Sequence, residues 1–319
     1  MDKPAGSDNL RIFSGSINRP LAERIAKYCG RPLSAVDSTK FPDGETFVNI
    51  GEGIRGCDVF LVQSVCHQPN DALMELLIMA DAARRASASR ITAVMPYYGY
   101  ARQDRKDKPR VPITAKLVAN LLVAAGVSRV LTVELHAQQI QGFFDIPVDH
   151  LYTSPVIVKY LEGLKLKNPI IVSPDTGGVK TAYAYSKRLG TDIAIVAKQR
   201  RSGSDVEAFS LIGDVAGKDV VMIDDMTTTC GTLCAAAKIL AAKGAASIRA
   251  AVTHASLTNL GIDRLVNSEI KELVVTDTVP MATDLIKGVP VTVLSVGDLL
   301  GEAILRIHNN SSISNLFDY

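Results

Sequence analysis

Residues Val220–Thr232 read VVMIDDMTTTCGT, and this stretch decides the fold. Four apolar residues, Val220, Val221, Met222 and Ile223, predict a buried strand of a parallel sheet. Asp224 and Asp225 stand where that strand ends. Thr228, Thr229 and Thr232 then place hydroxyls around Cys230 and Gly231, and LCAAAKILAAKG (233–244) predicts a helix that stops at Gly244. A strand, a turn of small residues and a helix form an anion cradle. Backbone N–H groups and the positive end of the helix dipole converge on one spot, where a phosphate sits well. Two adjacent carboxylates beside that spot repel a bare anion. They suit a ligand that brings hydroxyl groups or a divalent cation, and a sugar phosphate offers hydroxyls and phosphate together. A lone Asp-Asp pair reads as a strand end whose acids cap the next helix. Strand, acids, Thr-rich turn, Gly-Thr and helix in one register are a more specific signal.

Composition bounds the rest. At roughly 100–200 residues per domain, 319 residues predict two domains. Apolar residues make up 47% of the chain, enough for a sizeable core. A net charge of +2 points to neither a nucleic-acid nor a membrane partner. Five cysteines (Cys29, Cys57, Cys66, Cys230, Cys234) form no CxxC pair, which predicts reduced thiols rather than a disulfide framework or a zinc site. Cys230 reads as a small loop residue rather than a nucleophile. The N-terminus MDKPAGSDNL has no apolar signal region, and no run of about 18 apolar residues occurs. The expectation is a soluble, cytoplasmic protein.

Outward from the central stretch, PIIVSPDTGG (169–178) predicts a second strand-to-helix turn with Asp175 at its mouth, before the helix VKTAYAYSKRL. TDIAIVAKQRRSGSDVEAF (191–209) starts as a strand and becomes a basic loop holding Lys198, Arg200 and Arg201. That composition fits a loop closing over a charged substrate and an ordinary exposed hairpin equally well. In the first half, LRIFSGS (10–16) predicts a strand and Ser-Gly turn, with Asn18 capping a helix that has Pro20 at its start. KFPDGETFVNI (40–50) predicts a hairpin with a polar tip at Asp43, Gly44 and Glu45. A strand over 57–64 leads to an amphipathic helix over 71–86, capped by Asn70 or Asp71. GYARQDRKDKPRV (99–111) loses the apolar period and gains Arg102, Arg105, Lys106 and Lys108. Such a loop is usually a solvated surface, but this one leaves the carboxyl end of an apolar strand, where α/β folds place ligands, and its cations suit a polyphosphate. SRVLTVELH (128–136) delivers His136 to a strand end, with Glu134 two residues earlier on the same predicted face.

GCDVFLVQS (56–64) and GKDVVMIDD (217–225) are similar, and each leads through a turn and helix to a further strand. The chain therefore reads as a duplicated α/β unit. Gln63-Ser64 in the first copy stand where the second has Asp224-Asp225, so only the second copy keeps the acidic site. Alternating strands and helices predict parallel sheets with helices on both faces.

VVMIDDMTTTCGT resembles the phosphoribosyl-diphosphate (PRPP) loop shared by type I phosphoribosyltransferases and PRPP synthetases. FSGS (13–16), KFPDGETFV (40–48), NDALMELLIM (70–79), YARQDRKDK (100–108), ITAKLVAN (113–120), ELHAQQIQGFFDIPVDHLY (134–152), SPDTGG (173–178) and HNNSSISNLF (308–317) resemble class I ribose-phosphate pyrophosphokinases nearly from end to end. The resemblance implies two duplicated phosphoribosyltransferase-like domains, each a mostly parallel sheet flanked by helices. The first is expected over 1–152, joined by the tail 307–319, and the second over 153–306. It implies transfer of the β,γ-diphosphoryl group of ATP to the 1-hydroxyl of ribose 5-phosphate, giving PRPP and AMP, with Mg2+ as cofactor.

Residue by residue, the resemblance assigns Lys198 and Arg200 to a catalytic loop. It assigns Asp224, Asp225, Thr228, Thr229, Cys230, Gly231 and Thr232 to ribose 5-phosphate. His136 and Asp175 match metal positions. Arg102, Gln103 and Asp107 match an ATP site, completed by the hairpin Phe41, Asp43, Gly44 and Glu45 that reaches a neighbouring subunit's ATP. That hairpin implies a homo-oligomer, a hexamer built from dimers. Two departures stand out. Thr228 replaces the usual Asp, which keeps a hydroxyl and loses a charge, and the hairpin reads Asp-Gly where many members have Asn-Gln. Ser311, Ser312 and Ser314 match a tail that carries a regulatory anion site in the family. Two other readings follow from the same residues: a catalytically weak regulatory subunit, favoured by Thr228 and opposed by Lys198 and Arg200, and a phosphoribosyltransferase that consumes PRPP, opposed by YARQD and LHAQQIQGFF.

Overall fold

The computed structural model describes residues 9–200, 207–281 and 288–316. The chain forms two compact units. The first is built on the chain before Thr153, with Thr278–Pro280 and the C-terminal segment from Ser295; the second spans Thr153–Asp277 and Met281–Leu294. The sequence reading gives the first unit only residues 307–319 from the C-terminal end.

In the first unit, β1 (Leu10–Ser14) leads through α1 (Arg19–Tyr28) to a hairpin of β2 (Val36–Lys40) and β3 (Thr46–Ile50). Then come β4 (Asp58–Val62), α2 (Pro69–Arg85), β5 (Arg90–Met95), α3 (Thr114–Ala125), β6 (Arg129–Val133) and β7 (Val148–Leu151). The sheet order is β1-β4-β5-β6-β7, all parallel. The strand β7 has no counterpart in the sequence reading. It is only four residues long, too short for a periodic signal. α2 and α3 cover one face, through Leu76, Met79, Val118 and Leu122. α1 covers the other face together with α8 (Gly297–His308), through Leu21, Ile25, Leu300 and Ile304. The end of α8 is fastened to the start of the sheet. Arg90 Nε donates to Asp58 Oδ1 at 2.8 Å, Arg90 Nη2 donates to Ile307 O at 2.9 Å, and His308 Nδ1 lies 2.8 Å from Asp58 Oδ2.

The second unit runs α4 (Ser154–Gly163), β8 (Pro169–Ser173), α5 (Val179–Leu189), β9 (Asp192–Arg200), β10 (Glu207–Ile212), β11 (Asp219–Thr227), α6 (Gly231–Ala242), β12 (Ser247–Ala255), α7 (Asn259–Val266), β13 (Glu272–Thr276) and β14 (Val291–Leu294). Its sheet order is β10-β9-β8-β11-β12-β13-β14, parallel except for the β9–β10 pair. Leaving out β9 and β10, the order β8-β11-β12-β13-β14 repeats that of the first unit, so the duplication read from 56–64 and 217–225 is also one of topology. α6 and α7 pack on one face, through Leu233, Ala237, Leu240 and Leu265, and α4 and α5 on the other, through Ile157, Leu161, Ala182 and Tyr185.

Two expected helix caps are replaced. Asn18 occupies the cap position of α1, but its side chain makes no cap bond. It is buried, and its Nδ2 donates instead to Ser64 Oγ at 3.3 Å and Thr278 O at 3.5 Å. α2 begins at Pro69, ahead of Asn70 and Asp71, with no side-chain cap, because proline presets the helical φ of a first turn.

At the end of β4, the side chain of Gln63 fills the place that the acids hold in the second copy. It is fully buried, its Nε2 donates to Glu75 Oε2 at 2.6 Å, and its Oε1 accepts from Ile17 N at 3.3 Å. A Cβ at Gly15 would lie 2.5 Å from Gln63. Overpacking of this kind costs about 1–3 kcal/mol. Gly15→Ala is expected to lower stability by about that amount, and Gln63→Ala in the same chain to recover part of it. Thermal melts of the two single variants and the double variant check the coupling; additive losses would count against the contact.

Candidate functional site

The site is built first by the carboxyl ends of β8 and β11. Val220, Val221, Met222 and Ile223 of β11 are buried between β8 and β12. The half-buried Asp224 and Asp225 follow within the same strand, which continues to Thr227 beside β12 rather than ending at the acids as the sequence reading has it. Asp225 N donates to Asp224 Oδ1 at 2.9 Å. Asp175, on the turn after β8, accepts from Gly177 N at 2.8 Å and Gly178 N at 3.1 Å through Oδ1, while Ser173 Oγ donates to the Asp175 carbonyl at 2.7 Å. The turn thereby fixes one carboxylate oxygen and leaves the other for a ligand. Burial, then the charge and the side-chain hydrogen bond of Asp225, then the charge of Asp175, push the Asp224 carboxyl up to about 8. Three carboxylates compete for one small region, and a cation or hydroxyl groups would relieve that competition.

Beyond the acids, the chain turns sharply into α6. Cys230 takes a left-handed conformation (φ 52°) before the helix. Its thiol is buried, accepts from Thr227 Oγ1 at 3.7 Å, and is pushed up in pKa mainly by burial. It faces the core, so only its backbone is available to a ligand. Thr229 and Thr232 are exposed, and Thr228 and Gly231 half-buried. The first N–H groups of α6 have no acceptor within the helix. A cleft of about 820 Å³ opens here, lined by Asp175, Gly231, Thr232, Cys234, Lys238 and Arg264 among others.

Lys198 lies on the backbone path of β9, paired with Phe209 of β10, and Arg200 is paired with Glu207. The expected loop is therefore a hairpin whose strands extend to Arg200 and from Glu207. The side chains of Lys198 and Arg200, and all of Arg201, lie outside the described residues.

In the first unit, Arg102, Gln103 and Asp107 are exposed on the segment after β5. Gln103 Oε1 accepts from Thr114 Oγ1 at 2.5 Å and its carbonyl from Ala115 N at 3.2 Å, which ties the start of the basic segment to α3. Tyr98 anchors the same segment; it is buried, its hydroxyl donates to Ala115 O at 3.0 Å, and burial raises its pKa. The hairpin tip has the predicted turn: Phe41 N donates to Glu45 O, Gly44 N donates to Phe41 O, and Gly44 has φ 94°. Asp43 and Glu45 are exposed, and Phe41 is 51% exposed against the edge of Phe47. After β6, Glu134 adopts φ 44° and is buried, whereas His136 is exposed. The two do not share a face, because the strand ends at Val133 and the alternation expected of an extended chain stops there. Leu135 N donates to His150 Nε2 at 2.8 Å and fixes this bend.

Among the described residues, no group of three or more His, Cys, Asp or Glu side chains is arranged to hold a metal ion by itself. Asp175, Asp224 and Asp225 are the oxygen donors that a hard cation would use, alongside water or substrate oxygens.

The chain matches the family models for the N-terminal domain of ribose phosphate pyrophosphokinase over residues 10–126 and for the phosphoribosyl synthetase-associated domain over 203–318. It is 52% identical to a ribose-phosphate pyrophosphokinase of Gloeobacter violaceus over 98% of this chain and 94% of that one. The chain belongs to the ribose-phosphate pyrophosphokinase family. A Campylobacter jejuni member is 51% identical over 96% of this chain and 98% of that one. The crystal structure of phosphoribosylpyrophosphate synthetase from Mycobacterium smegmatis matches with a TM-score of 0.90 at 39% identity, covering 95% of this chain and all of that one. The family's α/β fold, with its two phosphoribosyltransferase-like halves, is thus the fold of this chain, and the reading as a PRPP-consuming transferase falls away.

The raised Asp224 carboxyl sets a pH dependence for the metal-free protein. Well below pH 4, the folded and unfolded chains both hold the proton. From about 4 to about 8 the folded protein keeps a proton that the unfolded chain releases, so stability falls as pH rises, and above 8 the loss is complete. Asp224→Asn removes this loss. In buffer with chelator, its Tm is expected to exceed the parent's by a few degrees at pH 8.5, with the gap closing toward pH 4. Parallel Tm curves would show that Asp224 ionises without penalty.

Proposed function

We propose that this enzyme makes PRPP and AMP from ATP and ribose 5-phosphate. The single observation that carries the reading is the pairing of Asp224-Asp225 with the turn into α6. Carboxylates that accept hydrogen bonds stand beside N–H groups that donate them, which is the complement of a sugar carrying hydroxyls at one end and a phosphate at the other. In this reading the backbone of Thr228–Thr232 takes the 5-phosphate and Asp224 and Asp225 accept from the ribose 2- and 3-hydroxyls. The high pKa of Asp224 fits this role. A protonated carboxyl is less repelled by the arriving phosphate, and a bound cation would displace its proton, leaving a carboxylate that accepts from the sugar hydroxyls.

The 1-hydroxyl oxygen of the sugar attacks the β-phosphorus of ATP. The bond from that phosphorus to the bridging oxygen of the α-phosphate breaks, and AMP leaves. Such transfers are catalysed by positioning and by neutralising charge on the transferred group. Lys198 and Arg200 supply cationic charge for the diphosphoryl group and the departing AMP. Arg102, Gln103 and Asp107 hold ATP, with Phe41, Asp43, Gly44 and Glu45 contributed across a subunit contact. The exposed Phe41 ring supports that contact, since an aromatic at a polar hairpin tip is better buried against a second copy. The assembly is a homo-oligomer, a hexamer built from dimers. Mg2+ is the cofactor, held by Asp175 with His136 as a further ligand, and when bound it neutralises phosphate charge. The enzyme works in the cytoplasm; among the described residues no helix is long and apolar enough to cross a membrane.

AMP release from ATP and magnesium, with and without ribose 5-phosphate, tests the reaction. AMP that forms only with the sugar supports it, and ATP binding without AMP release would favour the regulatory-subunit reading. Lys198→Ala is expected to lower kcat by about 100-fold or more while leaving ribose 5-phosphate affinity nearly intact; normal turnover would remove Lys198 from the mechanism. Thr228→Asp is expected to be tolerated, and loss of sugar binding in that variant would mean that the loop is wrongly assigned.

A further inference from the structure

Three consecutive carbonyls of the anion loop are held by one segment that is not part of the proposed site. Thr227 O accepts from Ser256 N at 3.0 Å. Thr228 O accepts from Thr258 N at 3.0 Å and from Thr258 Oγ1 at 3.3 Å. Thr229 O accepts from Arg264 Nη1 at 3.2 Å. Between these donors, Gly261 brings α7 against the loop: a Cβ there would lie 2.4 Å from Thr228 O and 3.3 Å from Thr229 Cα. The cap of α7 joins the same set, because Thr258 Oγ1 also accepts from Gly261 N at 3.2 Å.

The direction of these carbonyls decides the direction of the N–H groups. The peptide bonds here are trans, so each N–H points away from the carbonyl of the same peptide unit. With the carbonyls of residues 227–229 turned toward 256–264, the N–H groups of Thr228, Thr229 and Cys230 turn to the opposite side. A run of N–H groups ending in a left-handed residue is a concave anion nest, and its shape depends on no peptide in it flipping. Left to itself, such a turn of small residues has several orientations available, and Cys230 in a left-handed conformation adds strain that must be opposed from outside.

We infer that Thr258, Gly261 and Arg264 are positioning residues for sugar-phosphate binding, acting through the Thr228 and Thr229 carbonyls, with Arg264 as the clamp that prevents the Thr229 peptide from flipping. The inference rests on the ribose 5-phosphate reading. It assigns a role to α7, which carries none of the substrate-binding residues of that reading. Arg264 also lines the cleft, so the competing account is that its guanidinium touches the phosphate directly. The two accounts differ in the protein without ligand, where only a positioning residue changes the loop.

The test compares the full-length parent chain with Arg264→Met, which keeps side-chain length without donors, and with Arg264→Lys, which keeps a donor. Amide hydrogen exchange in the ligand-free protein is expected to quicken at residues 228–232 by about tenfold in R264M and to return toward the parent rate in R264K. Calorimetric binding of ribose 5-phosphate is expected to weaken about tenfold in R264M. The KM for ribose 5-phosphate should rise in parallel, with the KM for ATP and kcat within about twofold of the parent. Unchanged exchange together with weakened binding makes Arg264 a direct phosphate ligand and overturns the inference, as does unchanged binding. A parent chain that binds ribose 5-phosphate but releases no AMP removes the reaction while the exchange and binding comparison still stands; a parent that does not bind it removes both. If R264M does not fold, Thr258→Val, which deletes the hydroxyl bond to Thr228 O together with the cap bond from Gly261 N, takes its place with faster exchange at 228–232 as the expected result and parental exchange as the contrary one.

Discussion

Parallel pairing of β11, with β8 on one side and β12 on the other, is the constraint on which the rest of the second unit depends. A parallel strand cannot turn straight back into its neighbour. It must leave the carboxyl edge of the sheet and cross a face, usually as a helix. That requirement forces a turn at the end of β11 and starts a helix at the same place. The side chains of the acids 224–225 and the N–H groups opening α6 therefore collect at one edge. The neighbouring strand β8 obeys the same rule and adds Asp175. The candidate site is a by-product of how a buried parallel sheet reverses direction.

The first unit shows how the same scaffold is closed off. Its sheet repeats the order of β8-β11-β12-β13-β14, and β4 stops at Val62, the counterpart of Ile223, whereas β11 runs on to Thr227. Gln63 there is turned inward and held by Glu75, whose carboxylate also accepts from Ser16 and Ser38. Buried polar groups are tolerated when every one is paired, and this set pairs itself. At Asp224 the adjacent Asp225 N donates at 2.9 Å, and the side chains of Asp225 and Asp175 beside it are themselves carboxylates. One copy buries its polar groups in a paired set, and the other sets carboxylates side by side.

Much of this was legible in the residues. The run VVMI followed by Asp-Asp and a Thr-rich turn fixed strand, edge and helix start, because apolar length, a charge at the strand end and a helix-permissive run are all local signals. The closing helix 297–308 and the hairpin tip at 43–45 were legible for the same reason. The short strand β7 was not, nor the replacement of the Asn18 cap, since the bond from Asn18 to Thr278 joins residues 260 positions apart. The contrast between buried Glu134 and exposed His136 was also hidden, because the positive φ at Glu134 breaks a period that the sequence alone continues.

Sequence by itself determined which chemical groups stand at the strand ends and that the chain is two copies of one α/β unit, because those properties follow from local pattern and repetition. Tertiary structure decided the rest. It buried Asp224 beside Asp225 and brought Asp175 near, raising a carboxyl pKa above the usual range, chiefly through burial. It also brought Thr258, Gly261 and Arg264 of α7 against the carbonyls of a loop some thirty residues earlier. Thr258, Gly261 and Arg264 carry only a faint local signal, a Thr three residues before a Gly at a helix start. Their effect depends on where β12 returns the chain, and strand order in a sheet is set by packing of the whole unit rather than by any one stretch of it.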